Sequence, residues 1–253
     1  MTSIVAIRCK DGIVVGADSS ATFGDGAVPT VEQLTKKKIE LIGDFAIVAG
    51  TGYVGHQQRF TAVVKKLYDT KKFVNLDALQ TAKLLSSEGI RDFAETHIPQ
   101  GGLQYTALVA LPAKKEPCLV ELPGGRMHFQ PELKNSDDLW FTSAGSGQPI
   151  TDAVLTLLKN VFWKDGPPTL KGGIFTAYFT LKHVCEVNPG GIQEPIYMAV
   201  LEKDGQQFKA RMLSADDLAE HDAAILDMKE RMSAFRDVLE GRAEAAPVPQ
   251  PQP

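Results

Sequence analysis

The chain has 253 residues, 43% of them hydrophobic and 23% charged, with a net charge of −4. That length can bury a sizeable core as one domain or two, and the charge balance supplies no basic field for nucleic acid. No apolar run approaches the roughly 18 residues of a membrane span, and the start lacks the charged and apolar regions of a signal peptide.

Taken in chain order, Ser3–Cys9 and Gly12–Asp18 are two apolar runs joined by Lys10-Asp11-Gly12, and Asp-Gly between such runs predicts a hairpin. Residues 19–37 are polar and Gly-rich and read as loop or irregular ribbon. A second hairpin is expected from Lys38–Ile42 and Phe45–Gly50 across Gly43-Asp44. The period then changes: Val54, Phe60, Val63, Val64 and Leu67 recur at helical spacing over Tyr53–Tyr68. Asn75 is placed to cap a second helix running to about His97, with Leu76, Leu79, Ala82, Leu85 and Ile90 on one face. Strands are expected at Gln104–Leu111, Cys118–Leu122, Arg126–Phe129 and Leu139–Ser143, with Pro123-Gly124-Gly125 as a turn. Two helices follow, about Pro149–Trp163 and Leu170–Glu186, then strands Ile196–Glu202 and Gln207–Arg211 joined by Lys203-Asp204-Gly205. A long amphipathic helix should run from a Ser214 cap to about Leu239. Residues 244–253, rich in Ala, Pro and Gln, read as a disordered tail.

Tight turns make most strand pairs antiparallel, and helices come in pairs, not one after each strand, which argues against a Rossmann-type alternation. The expected class is α+β: two antiparallel sheets stacked face to face with helix pairs outside each, a four-layer αββα sandwich. The domain expectation is one unit over 1–211, a helix over 212–243 packed on that unit or on a ring neighbour, and the tail.

The chemistry starts at Thr2. Behind Met1 it opens the first apolar strand. With Met1 removed, one residue carries both a hydroxyl and a free α-amine, which can serve as nucleophile and base together. An α-amine titrates at about 7.7–8.0, so much of it accepts a proton near neutral pH. Met1 removal is expected, because the small Thr2 leaves it accessible to an aminopeptidase. Cys9, Cys118 and Cys185 form no CxxC pair and read as free thiols, which fits a reducing cytoplasm. The five histidines show no metal-ligand spacing, so no metal or other cofactor is expected.

Several motifs stand in order along the predicted elements. Thr2 opens the first strand. Asp18 ends the second, in Gly16-Ala17-Asp18-Ser19-Ser20-Ala21-Thr22. Lys38 opens the third in Lys37-Lys38-Ile39-Glu40-Leu41, Gly50 ends the fourth in Ala49-Gly50-Thr51-Gly52, and Gly145-Ser146-Gly147 follows the eighth. In these residues the chain resembles a proteasome β-type subunit, an N-terminal-nucleophile hydrolase, over roughly residues 2–210. The loop before Lys38 is a few residues longer than in most of the family. The family's Asp-x-x-Ser-Gly-Gly is replaced by Glu186-Val187-Asn188-Pro189-Gly190-Gly191. Glu186 keeps the carboxylate, whereas Pro189 has neither hydroxyl nor N–H. This departure and the length beyond residue 211 are most similar to the bacterial relatives: the β-proteobacterial proteasome homologue, with the HslV subunit and the ancestral β-subunit as neighbours.

The resemblance implies a threonine endopeptidase. Thr2 would be the nucleophile, Lys38 would favour loss of its proton, and Asp18 would keep Lys38 charged and aimed. The Gly50 N–H would point at the oxyanion, a contribution of about 3–4 kcal/mol where such donors have been removed. Ser146 would help hold the threonine amine, or else cap the following helix, and Glu186 would support the amine. Ala21, Thr22, Lys36, Val48 and Gly52 would surround the substrate residue before the cleaved bond, with Lys36 favouring an acidic or polar side chain or else turning to solvent. The implied partners are copies of the chain in stacked rings (two heptamers), an unfolded polypeptide substrate, and a separate ATP-dependent unfoldase, since no P-loop is present. The alternative is a non-catalytic or weakly active ring-forming homologue.

Overall fold

The computed structural model describes residues 1–24, 29–35, 38–98, 102–188 and 191–242. Pro189, Gly190, Lys36 and the tail expected over 244–253 lie outside the described residues. The chain divides into two compact units, Met1–Leu213 and the segment from Ser214 on.

The first unit begins with strands β1 (Ile4–Arg8) and β2 (Gly12–Ala17), then a ribbon of β3 (Ser20–Gly24) and β4 (Pro29–Leu34). Next come β5 (Ile39–Ile42), β6 (Ala46–Gly52), helices α1 (Val54–Asp69) and α2 (Ala78–Ala94), and strands β7 (Tyr105–Ala113), β8 (Glu116–Leu122), β9 (Glu132–Leu133) and β10 (Phe141–Ala144). Helices α3 (Gln148–Phe162) and α4 (Leu170–Val187) and strands β11 (Tyr197–Asp204) and β12 (Gln207–Met212) complete it. One sheet has the order β10-β1-β2-β11-β12 and the other β5-β6-β7-β8-β9; every pairing within them is antiparallel.

Strand alternation builds the layers. Ile4, Ala6, Ile13, Val15 and Ala17 face Ile47, Ala49, Leu108 and Ala110 across the gap between the sheets. The opposite faces take the helices. Val48, Val109 and Val120 pack under Phe60, Val64 and Leu67 of α1 and Leu85 and Phe93 of α2. α4 lies on β1 and β2 and α3 beside it, on β10. Close seating of α4 follows from small residues: a Cβ on Gly173 would strike Cys9 Sγ, and one on Gly16 would press on Leu181. The α+β sandwich read from the sequence is the architecture found.

Residues 19–37, read as loop or irregular ribbon, contain the β3–β4 ribbon, held by backbone pairing from Ser20↔Leu34 onward with an irregularity at Phe23/Gly24. Two local expectations are corrected. Residues 126–129, expected as strand, form a 3-10 turn over Gly125–Met127, with His128 and Phe129 at φ 55° and 58°. The left-handed backbone drops Phe129, fully buried, onto Phe60 and Phe93 at ring-centroid distances of 5.2 and 5.7 Å, and pairing with β8 passes to β9. The cap of α2 is Asp77, not Asn75: its side chain accepts from Gln80 N while the Gln80 side chain accepts from Asp77 N. Leu79, expected on the packed face, is exposed, and that face carries Ala82, Leu85, Gly89 and Phe93.

In the second unit α5 spans Ala215–Leu239 behind a Ser214/Asp217 capping box, and Leu226, Met232, Phe235 and Leu239 are exposed on it. Among the described residues no helix is long and apolar enough to cross a membrane.

Candidate active site

The sheet ends that carry Thr2, Asp18 and Lys38 meet at one corner. Asp18 follows β2 and is fully buried, and Lys38 precedes β5 and is nearly so. Their ion pair measures 2.6 Å from Nζ to Oδ1. A buried charge needs its hydrogen-bonding capacity filled. The Asp18 carboxylate does this with three donors: Lys38, the Ser3 N–H at 2.8 Å and the Ser20 N–H at 3.0 Å. One side chain thus ties together the entry to β1, the start of β3 and the start of β5.

Thr2 precedes β1 and is half-buried. Its Oγ1 donates to the Met1 carbonyl oxygen at 2.8 Å, and Lys38 Nζ donates to that same oxygen at 3.2 Å. The Thr2 N–H donates to Ser146 Oγ at 3.1 Å. Its carbonyl accepts from the Gly147 N–H at 3.1 Å. Gly145 makes this approach possible: it sits at φ +102°, and a Cβ there would collide with the Thr2 carbonyl. The turn is braced from behind, Thr151 Oγ1 donating to Ser143 Oγ (2.7 Å) and Ser143 Oγ to Asp152 (2.5 Å). Ser146 does not cap α3. The cap is Gly147, with no side-chain bond, so the serine hydroxyl serves Thr2.

Two glycines two residues apart behave differently. The Gly50 N–H donates to the Lys38 carbonyl at 3.3 Å, so the donor expected at the oxyanion is held in the sheet. Alternation aims the Gly52 N–H toward the same edge, beyond Ile39, where β5 begins. Gly52 adopts φ +120°, and a Cβ on it would strike the Gln104 carbonyl, so only glycine fits. Gly50 is constrained from the other side, because a Cβ there would run into the ring and hydroxyl of buried Tyr105. Burial pushes the Tyr105 hydroxyl up, and the charge of Glu40 adds to the shift.

A cleft of about 630 Å³ opens at this corner, lined by Thr2, Ala21, Lys38, Gly50, Gly52 and Ser146 together with Glu40, Gln57 and other residues of β4, β6 and α1. Volumes of that order suit a ligand side chain and its flanking backbone. Of the pocket residues expected from sequence, Ala21 and Gly52 line the cleft. Val48 does not: it is buried two residues further along the strand, in the core beneath α1. The Thr22 side chain and Lys36 lie outside the described residues. Glu186 sits exposed in the last turn of α4 and is not among the cleft-lining residues. Beside it, burial and the nearby Asp18, Glu194 and Glu186 carboxylates push the half-buried Cys185 thiol up to about 12, so it stays protonated. Sequence reasoning missed Glu40 and Gln57. The signal was there: Glu40 follows Lys38 by two residues in a strand and shares its face.

Among the described residues no cluster of His, Cys, Asp and Glu could hold a metal ion.

Comparison with known proteins bears on relationship and fold. Residues 1–97 match the family model "Proteasome subunit". A proteasome subunit beta of Nanoarchaeum equitans is 32% identical over 89 residues, 34% of this chain and 43% of that protein, so the match spans less than half of it. Proteasome subunit alpha 2 of Haloarcula marismortui is 24% identical over 220 residues, 87% of this chain and 81% of its own length. Among solved structures, Anbu (ancestral beta-subunit) from Yersinia bercovieri aligns with a TM-score of 0.66 at 13% identity, covering 98% of this chain and all of that one. The Anbu complex of Pseudomonas aeruginosa, described as a helical assembly, aligns with a TM-score of 0.67 at 15% identity over 97% of this chain and 98% of that one. At such identities these structures speak for the fold. The first 97 residues are thus similar to proteasome subunits, and the fold is shared with the Anbu structures over nearly the whole length of the chain.

Proposed function

We propose that this chain is a threonine endopeptidase subunit whose nucleophile is Thr2, exposed when Met1 is removed. The observation that carries the reading is a shared oxygen. Thr2 Oγ1 and Lys38 Nζ both reach the Met1 carbonyl, so the hydroxyl and the ammonium lie side by side. Loss of Met1 turns the Thr2 nitrogen into an α-amine in hydrogen-bond reach of Ser146. That amine takes the Oγ1 proton as the oxygen attacks a peptide carbonyl and returns it to the leaving amine; water, activated in the same way, then releases the acyl group. The Lys38 charge favours the alkoxide form of Thr2, and Asp18 holds Lys38 in place. Gly52, in place of Gly50, is the glycine whose N–H would meet the oxyanion. Ala21 and Gly52 would flank the substrate.

The family resemblance supports self-association of the subunit with its active sites enclosed, unfolded polypeptide as substrate, and a cytoplasmic setting. The described helical assembly of the Pseudomonas aeruginosa relative supports an oligomer that need not be a closed double ring. A separate unfoldase would be the partner that delivers substrate. The test is direct. Mass spectrometry should find Thr2 as the N-terminal residue, and wild-type protein should cleave fluorogenic peptides that Thr2→Ala leaves intact, with the same assembly size by native mass spectrometry. Cleavage surviving in Thr2→Ala would refute the mechanism.

A second reading, an assembly subunit without peptidase activity, is favoured by one observation. Glu186 is exposed outside the cleft, and Pro189 offers no hydroxyl, so among the described residues the partner seen for the Thr2 nitrogen is Ser146. Absence of cleavage by protein with a free Thr2 amine would select it.

A further inference from the structure

We infer that the cleft beside Thr2 selects a cationic side chain, lysine or arginine, with Glu40 as its counter-charge. This rests on the peptidase reading for its chemistry but on the cleft alone for its recognition. The charged side chains on the described cleft wall are Lys38 and Glu40. Lys38 is neutralised by Asp18 at 2.6 Å, which leaves Glu40 as the remaining charge among the described lining residues. Its carboxylate is half-buried on β5, with Thr61 Oγ1 of α1 donating to Oε1 at 3.4 Å. A charge withdrawn from bulk water in this way acts more strongly than one on the open surface.

The shape fits as well. Glu40 pairs across the ladder with Val48, and Gly50 follows two residues on, on the same face. The Tyr105 ring occupies the place a side chain at residue 50 would take, so Gly50 presents only backbone to the cleft beside Glu40. Val54 and Leu34 stand exposed at the cleft wall and offer apolar contact to a methylene stem. Gln57 and Gln58 supply amide oxygens for the remaining N–H groups. An apolar collar with an acidic end matches the amphipathic form of lysine and arginine. The acidic preference expected from Lys36 is the opposite outcome, so the experiment separates the two.

Wild-type protein with a free Thr2 amine is given peptides ending in Arg, Leu or Glu before a fluorogenic amide. The expected kcat/KM for Arg exceeds that for Leu and Glu by at least about tenfold, in the range that pocket complementarity supplies. In Glu40→Gln the Arg-to-Leu ratio should fall to about one, and in Glu40→Lys the Glu peptide should become the best of the three, by charge reversal. Equal cleavage of all three, a preference for Glu in the wild type, or an Arg preference that survives Glu40→Gln overturns the inference. A binding arm keeps this apart from the peptidase question. Thr2→Ala protein is titrated with the same three sequences, fluorophore-labelled, by anisotropy. Tighter binding of the Arg peptide, lost in Thr2→Ala/Glu40→Gln, supports the cleft assignment even if nothing is cleaved. Equal binding of the three, or no binding of any, refutes it.

Discussion

The two sides of Thr2 are built differently. On the hydroxyl side, Lys38 and Asp18 are buried, paired at 2.6 Å and tied to Ser3 and Ser20 through main-chain donors. On the amine side, the contact is to Ser146, an exposed serine in a glycine turn, and Glu186 is a surface residue. The first side belongs to the core of the fold, and damage to it should register as lost stability. The side chains of the second, Ser146 and Glu186, belong to the surface, and their loss should register in rate far more than in stability.

That contrast can be broken from either end. The largest effect is expected at Asp18. Asp18→Ala leaves the Lys38 charge buried without its partner, and urea denaturation should show a loss of about 3–5 kcal/mol. Asp18→Asn combined with Lys38→Met removes both charges and should recover much of that stability while peptide cleavage stays absent. If the double variant is no more stable than Asp18→Ala, the corner is held by something other than the ion pair. Next comes Gly145→Ala. Its φ of +102° and the collision with the Thr2 carbonyl predict about 1–3 kcal/mol of destabilisation together with displacement of Thr2. Activity that falls with no change in melting temperature would show the turn to be softer than the geometry implies. The smallest structural effect is expected at Ser146→Ala, less than about 1 kcal/mol because the site is exposed. Its cleavage rate should fall about tenfold, the equivalent of one hydrogen bond of ~1.4 kcal/mol. A loss of stability there as large as at Asp18 would erase the distinction between the two sides.

The sequence made the hydroxyl side legible because its residues sit at strand ends beside strong turn signals. Lys10-Asp11-Gly12 and Gly43-Asp44 fix the hairpins, and the hairpins fix where Asp18 and Lys38 emerge. Elsewhere, pattern was a weaker guide. The β3–β4 ribbon stands outside both five-stranded sheets, and its pairing leaves no period-two apolar signature in Ser20–Gly24 and Pro29–Leu34. Phe129 looked like a strand residue, and only the aromatic cluster beneath it explains its left-handed backbone. Gly50 and Gly52 cannot be told apart by composition. What separates them is the point at which β5 starts, which decides whose N–H the Lys38 carbonyl takes. Glu40 was visible as Lys38's same-face neighbour, but its role needed the cleft to be seen.

The three-way grip of the Asp18 carboxylate bears on how such a subunit can change over generations. Ser3, Ser20 and Lys38 all hang from one carboxylate, so a substitution that retunes the lysine also loosens two strand entries. The Ser146 side chain carries no such linkage: its hydroxyl meets Thr2 alone among the hydrogen bonds described, so exchange there leaves the strand entries fastened, whereas exchange at Asp18 unfastens three at once.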